Sequence, residues 1–167
     1  MTPDTGRVDR AVTVAAMSDI FDRAGDGIFF THSAGAFAGW ETAMANSKVK
    51  AIVAIEPGGF PFPEGTGAQN GVSMDKFMKL TKIPIIVYFG DYIPERETAA
   101  FSENFWRDVL QSARQWAALV NSYGGDVTIV HLPEIDISGN THFIMSDLNN
   151  QVVANHIADW LSEKRLK

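Results

Sequence analysis

The sequence predicts an α/β fold in which a parallel sheet is flanked by helices. Four short runs rich in β-branched or aromatic residues are nearly continuous in apolar character, as strands buried on both faces of a parallel sheet must be. Longer segments with apolar residues at helical spacing separate them, and alternation of the two kinds implies parallel strands joined by helical crossovers. The 167 residues are 46% hydrophobic and 20% charged, enough to fill one core and too apolar for a disordered chain.

In chain order, apolar residues at helical spacing predict a helix over Val8–Arg23, ending near Gly25. The first strand is Gly27–Thr31 (GIFFT), and a helix over Ala34–Ala45 follows it directly. The second strand is Val49–Ile55 (VKAIVAI). Pro57–Gly71 (PGGFPFPEGTGAQNG) then breaks the alternation; its Gly and Pro content predicts a long surface loop or lid. The third strand is Ile83–Phe89 (IPIIVYF). A long amphipathic helix over Glu95–Tyr123 closes at Gly124-Gly125, a stop signal. The fourth strand is Asp126–His131 (DVTIVH), and Met145–Lys164 forms the last helix, with Val152, Val153, Ile157, Trp160 and Leu161 on one stripe. No internal repeat or domain boundary interrupts this pattern, so residues 1–167 are expected to form a single domain.

Composition excludes several function classes. The net charge is −6 and no Lys/Arg run is present, so nucleic acid is not an expected partner. The absence of cysteine removes disulfides, thiolate metal sites and a thiol nucleophile. No His/Asp/Glu cluster has metal-ligand spacing, and no cofactor is expected. No apolar stretch approaches the roughly 18 residues of a membrane span, so no membrane association is expected. Residues 1–10 lack the apolar middle of a signal peptide, which leaves a cytoplasmic location as the default and the true compartment open.

Chemistry in open α/β sheets sits at the carboxyl ends of the strands. There the first strand runs Phe30-Thr31-His32-Ser33-Ala34-Gly35 into a helix, the pattern G-x-S-x-G with Thr31 in the first glycine position. Such an abrupt turn lifts a serine side chain above the sheet, and bulk at its flanks is expected to strike the neighbouring strand and helix. The next backbone N–H, that of Ala34, then points to where negative charge develops during acyl transfer. The plainer alternative is a strand-to-helix turn with Ser33 as helix N-cap.

A serine hydroxyl needs a base, and histidine has the right intrinsic pKa. His32 adjoins the serine inside the turn and is expected to point away from it. His131 ends the last strand, and His156 sits beside the apolar stripe of the last helix, where a surface role is expected. His142 lies in the loop Ser138-Gly139-Asn140-Thr141-His142, which overhangs the carboxyl edge of the sheet, and is the favoured base. Two carboxylates follow strands, Glu56 after the second and Asp91 after the third. The chain order Ser–acid–His holds for either, and adjacent strands are only about 4.8 Å apart, so spacing leaves the acid open between them.

These residues resemble a known group. The turn Thr31–Gly35, the tract Ile52–Gly59 (IVAIEPGG), the segment Pro84–Ile93 (PIIVYFGDYI) and the stretch Gly139–Trp160 (GNTHFIMSDLNNQVVANHIADW) are together similar to a small group of bacterial esterases of the α/β-hydrolase superfamily. The likeness runs from about Ala11 onward, and its most specific parts are E-P-G and G-N-x-H…D-x-N-N. It implies Ser33 as nucleophile, His142 as base and Glu56 as acid, in place of the alternative Asp91. It also implies a carboxylic ester substrate and an acyl-enzyme, with the Ala34 N–H in the oxyanion hole. Thr31 departs from the group's first elbow glycine. The fold also carries about four further strands before the elbow strand, and a loop after one of them donates a second oxyanion N–H. The expectation is therefore the C-terminal, nucleophile-bearing half of an α/β-hydrolase fold. Such a chain is a fragment or truncated reading frame, pairs its open edge with another copy or another polypeptide, or is a folded remnant.

Two functions from different classes follow. One is a serine ester hydrolase. The other is an inactive or truncated remnant that serves as a binding or assembly module. Nucleotide binding is disfavoured, because Gly58-Gly59 lacks G-x-G-x-x-G spacing. Phe60, Phe62, Trp106 and Trp116 are candidates for an acyl pocket, although aromatics at these spacings more often pack the core. Glu95–Arg107 is a candidate cap over the site.

Overall fold

The computed structural model describes residue 6, residues 9–66 and residues 71–166. Val8, where the first helix was expected to start, and positions 67–70 of the expected loop lie outside the described residues. The elements in order are α1 (Arg10–Ala24), β1 (Gly27–His32), α2 (Ala36–Ala45), β2 (Val49–Ile55), α3 (Met74–Leu80), β3 (Pro84–Phe89), α4 (Phe101–Ser122), β4 (Asp126–His131) and α5 (Asn150–Glu163). The four strands form one parallel sheet in the order β1-β2-β3-β4.

Helices cover both faces, because alternate strand residues feed two separate cores. Ile52, Ala54, Ile85, Val87 and Phe89 pack with α2, α3 and α4 around buried Trp40 and Trp116. Ala51, Val53, Ile86 and Tyr88 pack against Val153, Ile157 and Trp160 of α5. The near-continuous apolar runs of β2 and β3 thus reflect burial on both faces. The outer strands do not meet that expectation. β1 is mostly half-buried, with Phe30 52% exposed, and β4 is buried only at Val127 and Val130. Among the described residues each has a neighbouring strand on one side only.

Several elements differ from expectation, and three of the differences have a local reason visible in the packing and hydrogen bonds. A short helix, α3, follows the Gly/Pro-rich loop; it buries only Phe77 and Leu80, too few to mark a periodic stripe. Helix α4 starts at Phe101 instead of Glu95, because Thr98 gathers the preceding turn. The Thr98 hydroxyl donates to Glu103 (2.6 Å), and its backbone N–H and C=O both bond the Asn104 side chain (2.9 and 2.8 Å). Helix α5 starts at Asn150 instead of Met145, since the residues before it are used to build the loop described below.

Thr31, at the position where a glycine was expected, is accommodated by Gly39 on α2. A β-carbon at position 39 would lie 2.5 Å from the Thr31 methyl group. Gly39→Ala is therefore expected to overpack this contact and cost about 1–3 kcal/mol, read as a lowered urea midpoint at constant m-value.

Candidate active site

Strand register brings two residues to one level at the sheet's carboxyl edge. His32 pairs with Ile55, and Ile55 with Tyr88, so Ser33 and Glu56 each stand one residue beyond aligned strand tips. Both leave the strand in the left-handed region, at φ 52° for Ser33 and 50° for Glu56. Non-glycine residues rarely adopt that conformation, and it costs on the order of 1–2 kcal/mol for each. Two such residues side by side mark a place where structure is spent on something other than stability.

After Ser33 the chain makes one 3-10 turn, Ser33–Gly35, before α2 begins at Ala36, so the helix does not start at Ala34 as expected. Steric crowding at Gly35 is also absent: a β-carbon there would meet nothing within 4 Å. The tight flank lies on the Thr31 side, against Gly39. Ala34 borders a cavity of about 290 Å³ lined also by Val14, Phe37 and Ala38. Arg10 and Glu41 line it as well, paired at 3.8 Å.

His142 reaches this edge from the loop before α5. Its Nε2 lies 2.9 Å from Ser33 Oγ, and its Nδ1 lies 3.6 Å from Glu56 Oε2. The ring is packed among aromatics, with centroids 4.6 Å from Trp106 and 4.8 Å from His32. Burial, and then the neighbouring His32, hold its pKa below the ordinary histidine value. A neutral imidazole next to a serine hydroxyl is able to accept its proton.

The Glu56 side chain is fully buried. Gly90 N–H donates to Oε1 (2.6 Å), and the Tyr92 hydroxyl donates to Oε2 (2.7 Å). Burial pushes the carboxyl up to about 7, with Asp147 adding in the same direction, against the two hydrogen bonds. Backbone approaches closely here: a β-carbon on Gly90 would lie 3.1–3.2 Å from the carbonyl oxygens of Thr141 and Asn140 and from Glu56 Oε1.

The residues of the G-N-x-H…D-x-N-N run build the loop that holds His142. Asp91 accepts from the backbone N–H groups of Gly139 (2.6 Å) and Asn140 (2.8 Å). Asp147 accepts from Thr141 N–H (2.7 Å) and from the Thr141 hydroxyl (3.0 Å). The Asn140 and Asn149 side-chain amides bond each other reciprocally, at 2.8 and 3.0 Å. Asn149 also donates to the Ser138 carbonyl at 2.8 Å. Asp91, the alternative acid, thus spends both oxygens on the loop backbone.

The remaining candidates are placed as follows. His32 Nε2 lies 2.8 Å from the His142 carbonyl oxygen, so it buttresses the loop that bears His142. His131 is mostly buried, 3.7 Å from Glu134. His156 is half-buried and pairs through Nδ1 with the buried Tyr88 hydroxyl at 2.7 Å, tying α5 to β3 rather than lying free on the helix surface. Phe60 and Trp116 stack in the core beside Trp40, with Phe62 packed against it, whereas Trp106 covers His142. Within the candidate cap, residues 95–100 are turn and loop, and Phe101 is 85% exposed. Tyr92 and Asp147 were not among the sequence candidates. The sequence signals for them are their places in PIIVYFGDYI and in the D-x-N-N run. Among the described residues no group of His, Asp or Glu is arranged to hold a metal ion, and no helix is long and apolar enough to cross a membrane.

Comparison with solved structures adds two likenesses. A bacterial esterase determined at atomic resolution matches 90% of this chain at 30% identity, with a TM-score of 0.75. The match spans 42% of that esterase's length. A monoacylglycerol lipase from Paleococcus ferrophilus matches 95% of this chain and 77% of its own, at a TM-score of 0.62 and 13% identity, a likeness of fold alone. No protein-family model and no curated protein matches the chain. Four parallel strands, helices on both faces and these two likenesses relate the chain to the α/β-hydrolases, of whose fold it carries a part.

Proposed function

We propose that the chain is a serine hydrolase of carboxylic esters, with Ser33 as nucleophile, His142 as base and Glu56 as acid. The observation that carries this reading is the 2.9 Å approach of His142 Nε2 to Ser33 Oγ at a left-handed strand-to-helix turn. Ser33 Oγ attacks the acyl carbon as its proton passes to Nε2. The carbonyl oxygen becomes an oxyanion facing the Ala34 N–H, which lies in the first turn after the strand, where backbone N–H groups lack helical partners. Collapse breaks the ester bond, and His142 returns the proton to the departing alkoxide. Water then gives a proton to Nε2 as it attacks the acyl-Ser33 ester, and the carboxylic acid leaves while Ser33 regains its hydrogen. Glu56, 3.6 Å from Nδ1, offsets the charge of the imidazolium.

Two observations favour Glu56 over Asp91 as the acid: its oxygen lies 3.6 Å from Nδ1, and Asp91 is engaged by Gly139 and Asn140. The cavity beside Ala34 is apolar along Val14, Phe37 and Ala38, which suits a short acyl or alkyl group.

The test is hydrolysis of a chromogenic acetate ester by this chain and by Ser33→Ala. The expected loss in the variant is at least about 10³-fold. Equal rates in the two proteins overturn the hydrolase reading. They favour instead a binding or assembly module, the reading supported by the open edge of β1 and its half-exposed Phe30.

A further inference from the structure

We propose that Tyr92 is a positioning residue of this reaction: its hydroxyl stands between Glu56 and His142 and couples the carboxylate to the imidazole. The inference rests on the triad reading above and adds a fourth member to it. The direct span from His142 Nδ1 to Glu56 Oε2, 3.6 Å, exceeds the 2.7–3.2 Å of an N–H···O hydrogen bond. The Tyr92 oxygen lies 2.7 Å from Oε2 and 3.4 Å from Nδ1, so its contact with the imidazole is also long for a hydrogen bond but shorter than the direct span. A phenol has one hydrogen to give and lone pairs to receive. With its hydrogen committed to Glu56, Tyr92 turns a lone pair toward Nδ1, which favours the tautomer carrying hydrogen on Nδ1. That tautomer leaves the Nε2 lone pair free to take the Ser33 proton.

The local sequence has one backbone tip doing three jobs. Gly90 N–H fixes Oε1 of Glu56, Asp91 binds the backbone of the His142 loop, and Tyr92 fixes Oε2. The phenol ring is held in turn by Trp106, edge to face at 6.2 Å, and Trp106 also covers the imidazole. The ionisable groups acting on the pair are Asp147, which resists the charge on Glu56, and His32, which resists a charge on His142. Neither supplies a hydrogen bond to the carboxylate. The Tyr92 hydroxyl and the Gly90 N–H are the two donors that favour the ionised carboxylate.

The expected signature of Tyr92→Phe is two movements in opposite directions. Losing the donor makes the carboxylate harder to ionise, so the acidic limb of kcat/KM moves up by about one pH unit. Acetate-ester hydrolysis then falls about fivefold at pH 7, where the parent carboxyl at about 7 is half ionised, and recovers most of that loss by pH 9. At the same time the imidazolium loses part of its counter-charge, so titration of His142 followed by ring-nitrogen NMR moves to lower pH. A purely structural role for the ring predicts neither movement, since phenylalanine keeps the ring. A loss that is uniform with pH, or no loss, overturns the proposal. So does an unmoved His142 titration. If the parent chain shows no hydrolysis that depends on Ser33, the triad reading fails, and the NMR titration still decides whether Tyr92 couples the pair.

Discussion

Glu56→Gln is expected to lower kcat for ester hydrolysis by about 10⁴-fold while leaving the fold intact. The argument begins at Gly90, whose N–H requires an acceptor at the position of Oε1. In the variant the amide oxygen must occupy that place, which puts the NH₂ group where Oε2 stood, facing Tyr92 and His142. A donor there repels Nδ1–H. The imidazole answers by moving its hydrogen to Nε2, which then points a hydrogen at Ser33 in place of a lone pair. The base becomes unable to accept, and the imidazolium loses its counter-charge.

The same substitution has an effect on stability with a defined sign. The Glu56 carboxyl is raised from 4.5 to about 7 in the fold, chiefly by burial. A carboxyl raised in this way binds its proton more tightly when folded, so the fold is favoured at low pH and loses that advantage as pH climbs from about 4.5 through about 7. The thermal midpoint of the parent protein relative to Glu56→Gln is therefore expected to fall between pH 5 and pH 8. Parallel melting curves across that range contradict a buried carboxylate of raised pKa. The difference, on the order of 3 kcal/mol, is what a buried, ionised acid costs this chain.

Trp116→Ala is expected to have the largest effect on the fold, a loss of about 3–5 kcal/mol. Trp116 is fully buried, packs against both Trp40 and Phe60 at centroid separations of 5.2 and 5.1 Å, and donates its ring N–H to the Pro61 carbonyl at 3.0 Å. Trp40 donates likewise to the Gly59 carbonyl at 3.1 Å. The two tryptophans grip the chain at Gly59 and Pro61 as it leaves Glu56. For a domain of this length the loss corresponds to a fall in Tm of about 6–20 °C, read by calorimetry. Trp116→Phe retains most of the apolar area, lacks the hydrogen bond to Pro61, and is expected to lose about 1–2 kcal/mol. A Trp116→Ala protein that melts within a degree or two of the parent contradicts this account of the core.

The strands were legible as runs of apolar residues, which in β2 and β3 follow from burial on both faces. Val49–Ile55 in β2 and Asp126–His131 in β4 fall where the apolar runs put them, and Pro84–Phe89 is one residue shorter than the run from Ile83. Helix starts were less legible, because they are set by side chains that bond backbone groups several residues away. Thr98 with Asn104, and Asp147 with Thr141, each claim residues whose composition suits a helix. The short α3 has too little apolar surface to register as a period.

At the site, spacing along the chain pointed to Ser33 and His142, which the structure brings to 2.9 Å, since the strand-to-helix turn and the last loop each follow directly from the strand order. The acid was different. Glu56 and Asp91 both follow strands, and what distinguishes them is where the loop bearing His142 comes to rest, a contact between residues 86 positions and 51 positions apart in the chain. No local pattern encodes it, and the resemblance to esterases was needed to prefer Glu56. Tyr92 was invisible for a related reason. A tyrosine beyond a strand reads as packing until its hydroxyl is seen 2.7 Å from a buried carboxylate. His32 was set aside as pointing away from Ser33, yet its ring nitrogen meets the His142 carbonyl, a contact made across 110 positions of chain.

The reactivity of Ser33 is the quantity on which the functional account depends. Treatment with a fluorophosphonate, followed by intact-mass analysis and peptide mapping, measures it without reference to any natural ester. A single adduct on the peptide containing Ser33, lost in Ser33→Ala and strongly slowed in His142→Ala, is the predicted result. An unmodified protein, or an adduct elsewhere that forms equally well in both variants, contradicts the claim that the imidazole activates this hydroxyl.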